Sequence, residues 1–254
     1  MSEKYELIEI IGQGMYGKVY KAMNKLESKY YAIKALNFKN ISTKERSLIE
    51  TEINLLQELK HPNIVLYKDS FIDKNNNLNI ITTFCEGGDM YRKIFKEKNT
   101  YFEENIIINW LIQLLLGLSY IHDKKIVHRD IKTKNIFIKN NLTVKIGDFG
   151  IAKILNSTSS YAHTFIGTPY YISPELCKDQ PYNDKSDVWS LGCVLYELCT
   201  LNHPFEGGTQ VEIYEKIMTQ KFKAISSEYS QELKKMVDLL LEKDEKKMEN
   251  ILSK

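Results

Sequence analysis

The residues with the greatest chemical reach lie in one octapeptide, His128-Arg129-Asp130-Ile131-Lys132-Thr133-Lys134-Asn135. Apolar segments bracket it, residues 117–127 before and 136–138 after. It therefore reads as a short polar loop between buried walls, an arrangement that fixes reactive side chains in place. Thirteen residues beyond Asn135 stands Asp148-Phe149-Gly150, after a strand-like run at 143–147. A hairpin bringing these stretches together gathers two carboxylates and an amide into an oxygen-rich cage. Hard oxygen donors of that kind suit Mg²⁺ and phosphate chemistry. A lone His-Arg-Asp triplet would mean little, but the octapeptide followed at this distance by Asp-Phe-Gly is specific.

Such groups need elements that hold them. Residues 5–11 alternate well enough for a strand, and Gly12-Gln13-Gly14-Met15-Tyr16-Gly17-Lys18-Val19 follows. Three glycines at this spacing also occur in dinucleotide folds, where a helix comes directly after them. Here residues 19–22 and 30–36 are β-branched and aromatic, with a turn-like 24–28 between them, which predicts a hairpin over phosphates. A helix is expected at 43–59, with Ile49, Ile53, Leu56 and Leu59 at helical spacing and Glu52 on the same helix. Residues 61–65 close that helix and start another strand, and 78–84 form a further one. A long apolar helix, 105–122, delivers the chain to the polar loop, and a second runs from Ser186 to near Leu201.

With 254 residues the chain can bury a sizeable core, and 43% hydrophobic with 27% charged residues suits a globular protein. A net charge of +2 with mixed signs argues against a dedicated nucleic-acid surface. The polar start predicts no secretory signal, Ser2 does not fit a myristoylation site, and no apolar run is expected to span a bilayer. Cys85, Cys177, Cys193 and Cys199 show no metal-like pairing and fit reduced thiols. A cytoplasmic protein is expected, with no membrane or nucleic-acid partner.

These motifs together resemble the signature of eukaryotic protein kinases. The resemblance covers nearly the whole chain and implies an α+β, two-lobed fold over 1–254. It places an N-lobe sheet with one helix at 1–84, a hinge at 85–88 and a mostly helical C-lobe at 89–254. It further implies ATP and Mg²⁺ as cofactors and serine/threonine residues of proteins as substrates. Lys34 matches the strand-three lysine that reaches the α- and β-phosphates, and Glu52 its carboxylate partner; outside this context both would be read as solvated charges. Asp130 would orient the substrate hydroxyl and accept its proton, and Lys132 would balance charge on the γ-phosphate. Asn135 and Asp148 would bind Mg²⁺. The nucleotide would lie against Ile11, Gly12, Gln13, Gly14, Gly17 and Val19 from above. Ala32, Thr82, Phe84, Cys85, Asp89 and Phe137 would surround its base and ribose. Thr82 takes the gatekeeper position, and its small size predicts a pocket reaching behind the adenine site. Cys85 is read as structural.

Residues 151–165 are polar and Ser/Thr-rich, followed by Gly167-Thr168-Pro169-Tyr170-Tyr171-Ile172-Ser173-Pro174-Glu175. This run, with Glu86-Gly87-Gly88-Asp89 and His61-Pro62-Asn63-Ile64-Val65, is similar to the NIMA-related (Nek) kinases. By that resemblance Thr164 is the activating phosphosite, filled by autophosphorylation or an upstream kinase, and Arg129 its partner. Ser157, Thr158, Ser159 and Ser160 are alternatives, Thr168 is read as hydrogen-bonding near Asp130, and a buried salt bridge is a compatible role for Arg129. Cell-cycle, microtubule or cilium regulation is implied. Asp187 would bind the catalytic-loop backbone, or Ser186 or Asp187 would cap the helix. His61, His122, His163 and His203 are given structural roles.

The C-terminal end departs from the family pattern. Glu245 and Met248 stand where a proline and an arginine are usual, so Glu175 is expected to find another cation or to leave the lobe less stable. The end looks short, and a nucleotide-holding scaffold with little turnover is the alternative function. A small-molecule kinase is disfavoured by the run 167–175. Lys134 stands where kinases of basic substrates carry glutamate, so it should repel Arg or Lys just upstream of the target residue. A peptide array should accordingly disfavour arginine two and three residues before the acceptor. Arrays in which it proved best there would sink this specificity.

Overall fold

The computed structural model describes residues 4–14, 17–38, 42–96, 100–140, 142–149, 169–244 and 247; the side chains of 44, 45, 52, 95 and 96 are outside the description. Strands β1 (Tyr5–Gly14), β2 (Gly17–Asn24) and β3 (Lys29–Asn37) precede helix α1 (Thr43–Glu58), β4 (Tyr67–Ile72) and β5 (Asn77–Thr83). They form one antiparallel sheet in the order β1-β2-β3-β5-β4. A strand follows the glycines, with Gly14 paired to Gly17 across the hairpin. Asn24 makes the next turn, its Oδ1 accepting the N–H groups of Leu26 and Glu27 at 3.0 and 3.2 Å. Ile49 and Ile53, one turn apart on α1, pack against Leu36, Leu78 and Ile80 of the sheet. Each such burial contributes about 1.5–3 kcal/mol, and together they hold α1 over the sheet face that carries Lys34's strand.

The remaining elements are mostly helical: α2 (Met90–Lys96), α3 (Glu104–Asp123), a 3₁₀ turn (Thr133–Asn135), the hairpin β6 (Ile136–Asn140) and β7 (Thr143–Ile146), then α4 (Pro174–Cys177), α5 (Asp184–Thr200), α6 (Gln210–Thr219) and α7 (Gln231–Leu240). On α3 the buried residues Ile107, Trp110, Leu111, Leu114, Leu118 and Ile121 recur every three or four positions. They share one core with Trp189, Leu191 and Leu195 of α5. By length and composition α3 could cross a membrane, contrary to expectation. Packing against α5 and β7 accounts for its buried stripe, while Ile108, Ile112 and Leu116, four residues apart, are exposed. The cap of α5 is Asn183, whose Oδ1 accepts from the Lys185 and Ser186 N–H groups, while Ser186 Oγ accepts the Asn183 backbone N–H at 3.2 Å. Neither Ser186 nor Asp187 is the capping residue; Ser186 completes the box begun by Asn183.

Among the described residues, two strips of backbone hydrogen bonds join the lobes. The residues after α1 do not start β4, which begins at Tyr67. Instead they lie along β7, with Val65 N–H donating to Ile146 O and Ile146 N–H to Asn63 O, both at 2.8 Å. Asn63 Nδ2 reaches Val144 O and Gln113 Oε1, and the buried Lys145 ammonium donates to the Pro62 and Ile64 carbonyls. The second link is the hinge, where Gly87 N–H donates to Ile138 O and Ile138 N–H to Gly88 O, each at 2.8 Å. A Cβ on Gly87 would lie 2.7 Å from that same Ile138 oxygen, and Gly88 has φ 73°, so glycines are required there.

Gly192 marks the contact of α5 with α7, since an added Cβ would come within 2.9 Å of the Leu240 carbonyl. Gly192→Ala should therefore destabilise the protein by about 1–3 kcal/mol, although alanine favours helix. A lowered urea midpoint is the expected result; an unchanged midpoint would mean the two helices pack more loosely than this.

Candidate active site

Asp187 organises the polar loop from beneath. Its fully buried carboxylate accepts the backbone N–H of His128 on Oδ2 at 2.8 Å and that of Arg129 on Oδ1 at 3.0 Å. His122 Nε2 and Tyr182 OH complete its shell at 2.8 and 2.7 Å. Burial pushes this carboxyl's pKa upward, but the hydrogen bonds from His122, Tyr182 and the His128 backbone outweigh it and leave the pKa below its ordinary value. The clamp holds Arg129 at φ 66°, a left-handed conformation that costs a non-glycine residue about 1–2 kcal/mol. His122 and Tyr182 were not singled out in the sequence as partners of Asp187, because nothing local to either residue points to it.

Above the clamp the reactive groups converge on Asp130. Lys132 Nζ and Asn135 Nδ2 both donate to Asp130 Oδ2, at 2.8 and 2.7 Å, and Asn135 Nδ2 also reaches the Asp130 carbonyl at 2.8 Å. These bonds set the carboxylate's orientation and place a cation beside it. His128 Nδ1 accepts the Asp130 N–H at 3.2 Å while Nε2 donates to Gly147 O at 3.1 Å. That pattern needs the neutral imidazole with its proton on Nε2, and burial, which lowers the His128 pKa, favours the neutral ring. The ring also lies 4.7 Å from that of Phe149, so the octapeptide and Asp-Phe-Gly are tied at two points.

A cavity of about 480 Å³ opens between the lobes. Ile11, Val19, Ala32, Lys34, Thr82, Phe84, Cys85, Asp89, Phe137 and Asp148, all named from the sequence, line it. Gly12, Gln13, Gly14 and Gly17 lie in the β1–β2 hairpin outside that lining. Beyond Thr82 the cavity reaches Leu56, Val65, Tyr67 and Ile80, the rear extension expected of a small gatekeeper. Arg92 was missed in the sequence. Its guanidinium pairs with Asp89 Oδ2 at 3.2 Å and donates to Ile11 O at 3.2 Å, spanning hinge and β1. Cys85 is buried and its thiol is pushed up to about 11 by burial, as a structural thiol should be.

The Lys34 ammonium pairs with Asp148 Oδ1; the expected Lys34–Glu52 pair lies outside the description, because the Glu52 side chain is not described. Asp148 has φ 60°, which turns its side chain back toward that lysine. Glu175 receives a hydrogen bond from Ser186 Oγ, a hydroxyl rather than the cation expected. Thr164, Ser157, Thr158, Ser159, Ser160, His163, Thr168, Glu245 and Met248 lie outside the described residues. For Mg²⁺ the donor chemistry fits. The Asn135 carbonyl accepts the Gly147 N–H at 2.9 Å, so the Asn135 side chain springs from a point beside Asp148. A carboxylate and an amide oxygen, completed by phosphate oxygens, make a Mg²⁺ site rather than an all-protein cage.

A cleft between a five-stranded sheet and a helical lobe, with Lys34 joined to Asp148 within it and Asp130 tied through His128 to the neighbouring Gly147, defines the protein kinase class. A match to the protein kinase domain extends over residues 5–251, and the chain belongs to that family. Within it the chain is similar to the Nek kinases. It is 47% identical over 241 residues to human serine/threonine-protein kinase Nek5, covering 94% of this chain and 34% of that protein. Identity to mouse Nek1 is 46% over 242 residues, covering 95% of this chain and 20% of that one. A probable serine/threonine-protein kinase, nek2 of Dictyostelium discoideum, is 44% identical over 255 residues, with 98% and 61% covered. The chain thus spans about a fifth to three fifths of these relatives' lengths.

Replacing Asp187 by asparagine turns one acceptor oxygen into a donor facing other donors. Asp187→Asn should cost about 3 kcal/mol and disorder the backbone of His128 and Arg129. Because the carboxyl's pKa is depressed on folding, its contribution is complete above the unfolded value near 3.8 and is lost as pH falls through the folded one. Acid titration of stability by circular dichroism should show that slope in the native protein and lose it in the variant. Equal slopes would remove Asp187 from this role.

Proposed function

We propose that this chain is the catalytic domain of a protein serine/threonine kinase, moving the γ-phosphate of ATP to Ser or Thr hydroxyls of protein substrates. The observation that carries this is the Asp130 carboxylate, oriented by Lys132 and Asn135 and tied through His128 to Gly147, next to the Asp148 that meets Lys34. Phosphoryl transfer asks a protein for positioning and charge neutralisation more than for covalent chemistry. Asp130 aligns the acceptor hydroxyl and takes its proton. Lys132 neutralises charge beside it, and Lys34 positions the α- and β-phosphates. The hinge backbone at 85–88 receives the adenine, and Asp89 the ribose in competition with Arg92. Mg²⁺ held by Asn135 and Asp148 supplies electrostatic stabilisation of the phosphate oxygens when bound.

Phosphate on Thr164, added by the enzyme itself or by an upstream kinase, is proposed to pair with Arg129 and order the acceptor side of the cleft. By analogy with the Nek kinases we place the activity in cell-cycle, microtubule or cilium regulation, in the cytoplasm. The four free cysteines support a reducing compartment. No nucleic-acid or membrane partner is proposed.

Purified protein with Mg-ATP and casein should incorporate phosphate. Asp130→Asn should lower turnover by about 10²–10⁴-fold without weakening nucleotide-induced thermal stabilisation, and Thr164→Ala should lower it less. Turnover untouched by Asp130→Asn would overturn the assignment. A wild-type protein that binds nucleotide without turnover would do the same.

A further inference from the structure

Asp89 and Arg92 lie three residues apart at the start of α2, so one helical turn sets them side by side. Asp89 stands one residue before the helix, and its Oδ1 accepts the Arg92 backbone N–H at 2.8 Å, the bond of an N-cap. Its Oδ2 lies 3.2 Å from Arg92 Nε. A single residue thus holds both carboxylate oxygens, one through its backbone and the other through its side chain. The guanidinium is fixed at a second point as well, Nη2 donating to the Ile11 carbonyl of β1 at 3.2 Å. Ile11, Asp89 and Arg92 all line the cavity between the lobes. The Asp89 side chain is 17% exposed and that of Arg92 62%. The carboxylate is therefore enclosed, and the cation that covers it bridges sheet and helical lobe at the cavity's solvent edge.

We propose that Arg92 is a specificity-determining residue of the nucleotide site: it occupies the carboxylate that would otherwise read the sugar, so the site takes 2′-deoxyadenosine nucleotides as readily as adenosine nucleotides. The proposal rests on the reading that the cleft holds ATP with its ribose toward Asp89. A sugar hydroxyl donating to Asp89 Oδ2 has to displace the guanidinium or share that oxygen with it. The bond it makes and the bond it displaces are both charge-assisted, and so of similar strength. The exchange gains almost nothing, whereas a hydroxyl that only replaced water would gain a full hydrogen bond to a charged group. The Ile11 carbonyl tips the exchange further toward Arg92, because a planar guanidinium already held at one acceptor loses little freedom in binding the next.

Turnover follows binding. In the transfer the acceptor oxygen bonds to the γ-phosphorus and the bond from that phosphorus to the β,γ-bridging oxygen breaks. The diphosphate, ADP or 2′-deoxy-ADP, leaves with the electron pair, and Asp130 takes the hydroxyl proton. No sugar atom enters that balance, so the deoxy donor should react with an unchanged kcat.

The test is the affinity of ADP, 2′-deoxy-ADP and 2′,3′-dideoxy-ADP, each measured with Mg²⁺ by isothermal titration calorimetry. Native protein should bind all three within about twofold, since one charge-assisted bond replaces another. Arg92→Ala leaves Asp89 to the sugar, so ADP should then bind about three- to tenfold tighter than the dideoxy nucleotide, the range of one hydrogen bond. Arg92→Lys keeps a cation beside Asp89 and should restore most of the native ratio. An Arg92 with only a structural role would weaken all three nucleotides alike in Arg92→Ala, and that unchanged ratio would overturn the proposal. So would a native protein that already prefers ADP to the dideoxy nucleotide by about tenfold. Casein phosphorylation separates this outcome from the kinase reading. The three-nucleotide pattern without turnover would leave Arg92 in this role while the kinase reading failed. Turnover with a KM for 2′-deoxy-ATP about tenfold above that for ATP would overturn the role of Arg92 alone. Binding of none of the three nucleotides would overturn both.

Discussion

The structure depends most on one buried carboxylate. Asp187 has no solvent to satisfy it and no cation as its main partner, so its charge is held by donors fixed in position. Two of those donors are backbone N–H groups of the loop whose side chains would do the chemistry. A backbone held in this way can carry Arg129 in a left-handed conformation, because the surrounding bonds over-determine it. The reactive loop is therefore rigid for an electrostatic reason, and its rigidity is anchored in α5, the most buried helix of the lobe.

From that anchor, order passes upward in discrete steps. The neutral His128 ring reads the state of the loop through Asp130 and the state of the Asp-Phe-Gly segment through Gly147 and Phe149. Asp148 in turn holds Lys34 of the sheet. Catalytic floor and sheet are thus joined across the cavity by a chain of polar contacts, each partly shielded from water. The stretch 61–65 and the hinge close the same cavity from behind, using backbone bonds to β6 and β7.

The acceptor side is built differently. Tyr170 and Tyr171 stand on Glu197 and His203, groups with no strong cation between them. The catalytic loop has a fully compensated charge below it, while the tyrosine platform has one that burial leaves near its titration point. The same helix, α5, supplies both carboxylates, ten residues apart, one held by backbone N–H groups and the other by side-chain hydroxyls.

Much of this was legible in the sequence because it is local. The hairpin around Gly12–Gly17 followed from β-branched flanks, α1 and α3 from apolar spacing, and Asp130, Lys132, Asn135 and Asp148 from motifs only a few residues long. Asp187 was legible as a loop anchor from its resemblance to the family. What tertiary structure alone decided were partners separated in the chain. His122 meets Asp187 only because α3 and α5 pack together, while Tyr182, five residues before Asp187, reaches it from the segment leading into α5; Arg92 reaches Ile11 across the end of the hinge. Lys34 meets Asp148, 114 residues away, across the cleft, and Glu175 meets the hydroxyl of Ser186 in the cap of α5. His203 read as an ordinary histidine, since burial and an unmatched nitrogen are properties of packing and leave no mark on composition or periodicity. The sequence by itself determined the chemistry-bearing groups and the elements that carry them; the long-range packing determined their burial, the direction of their pKa shifts and their pairing.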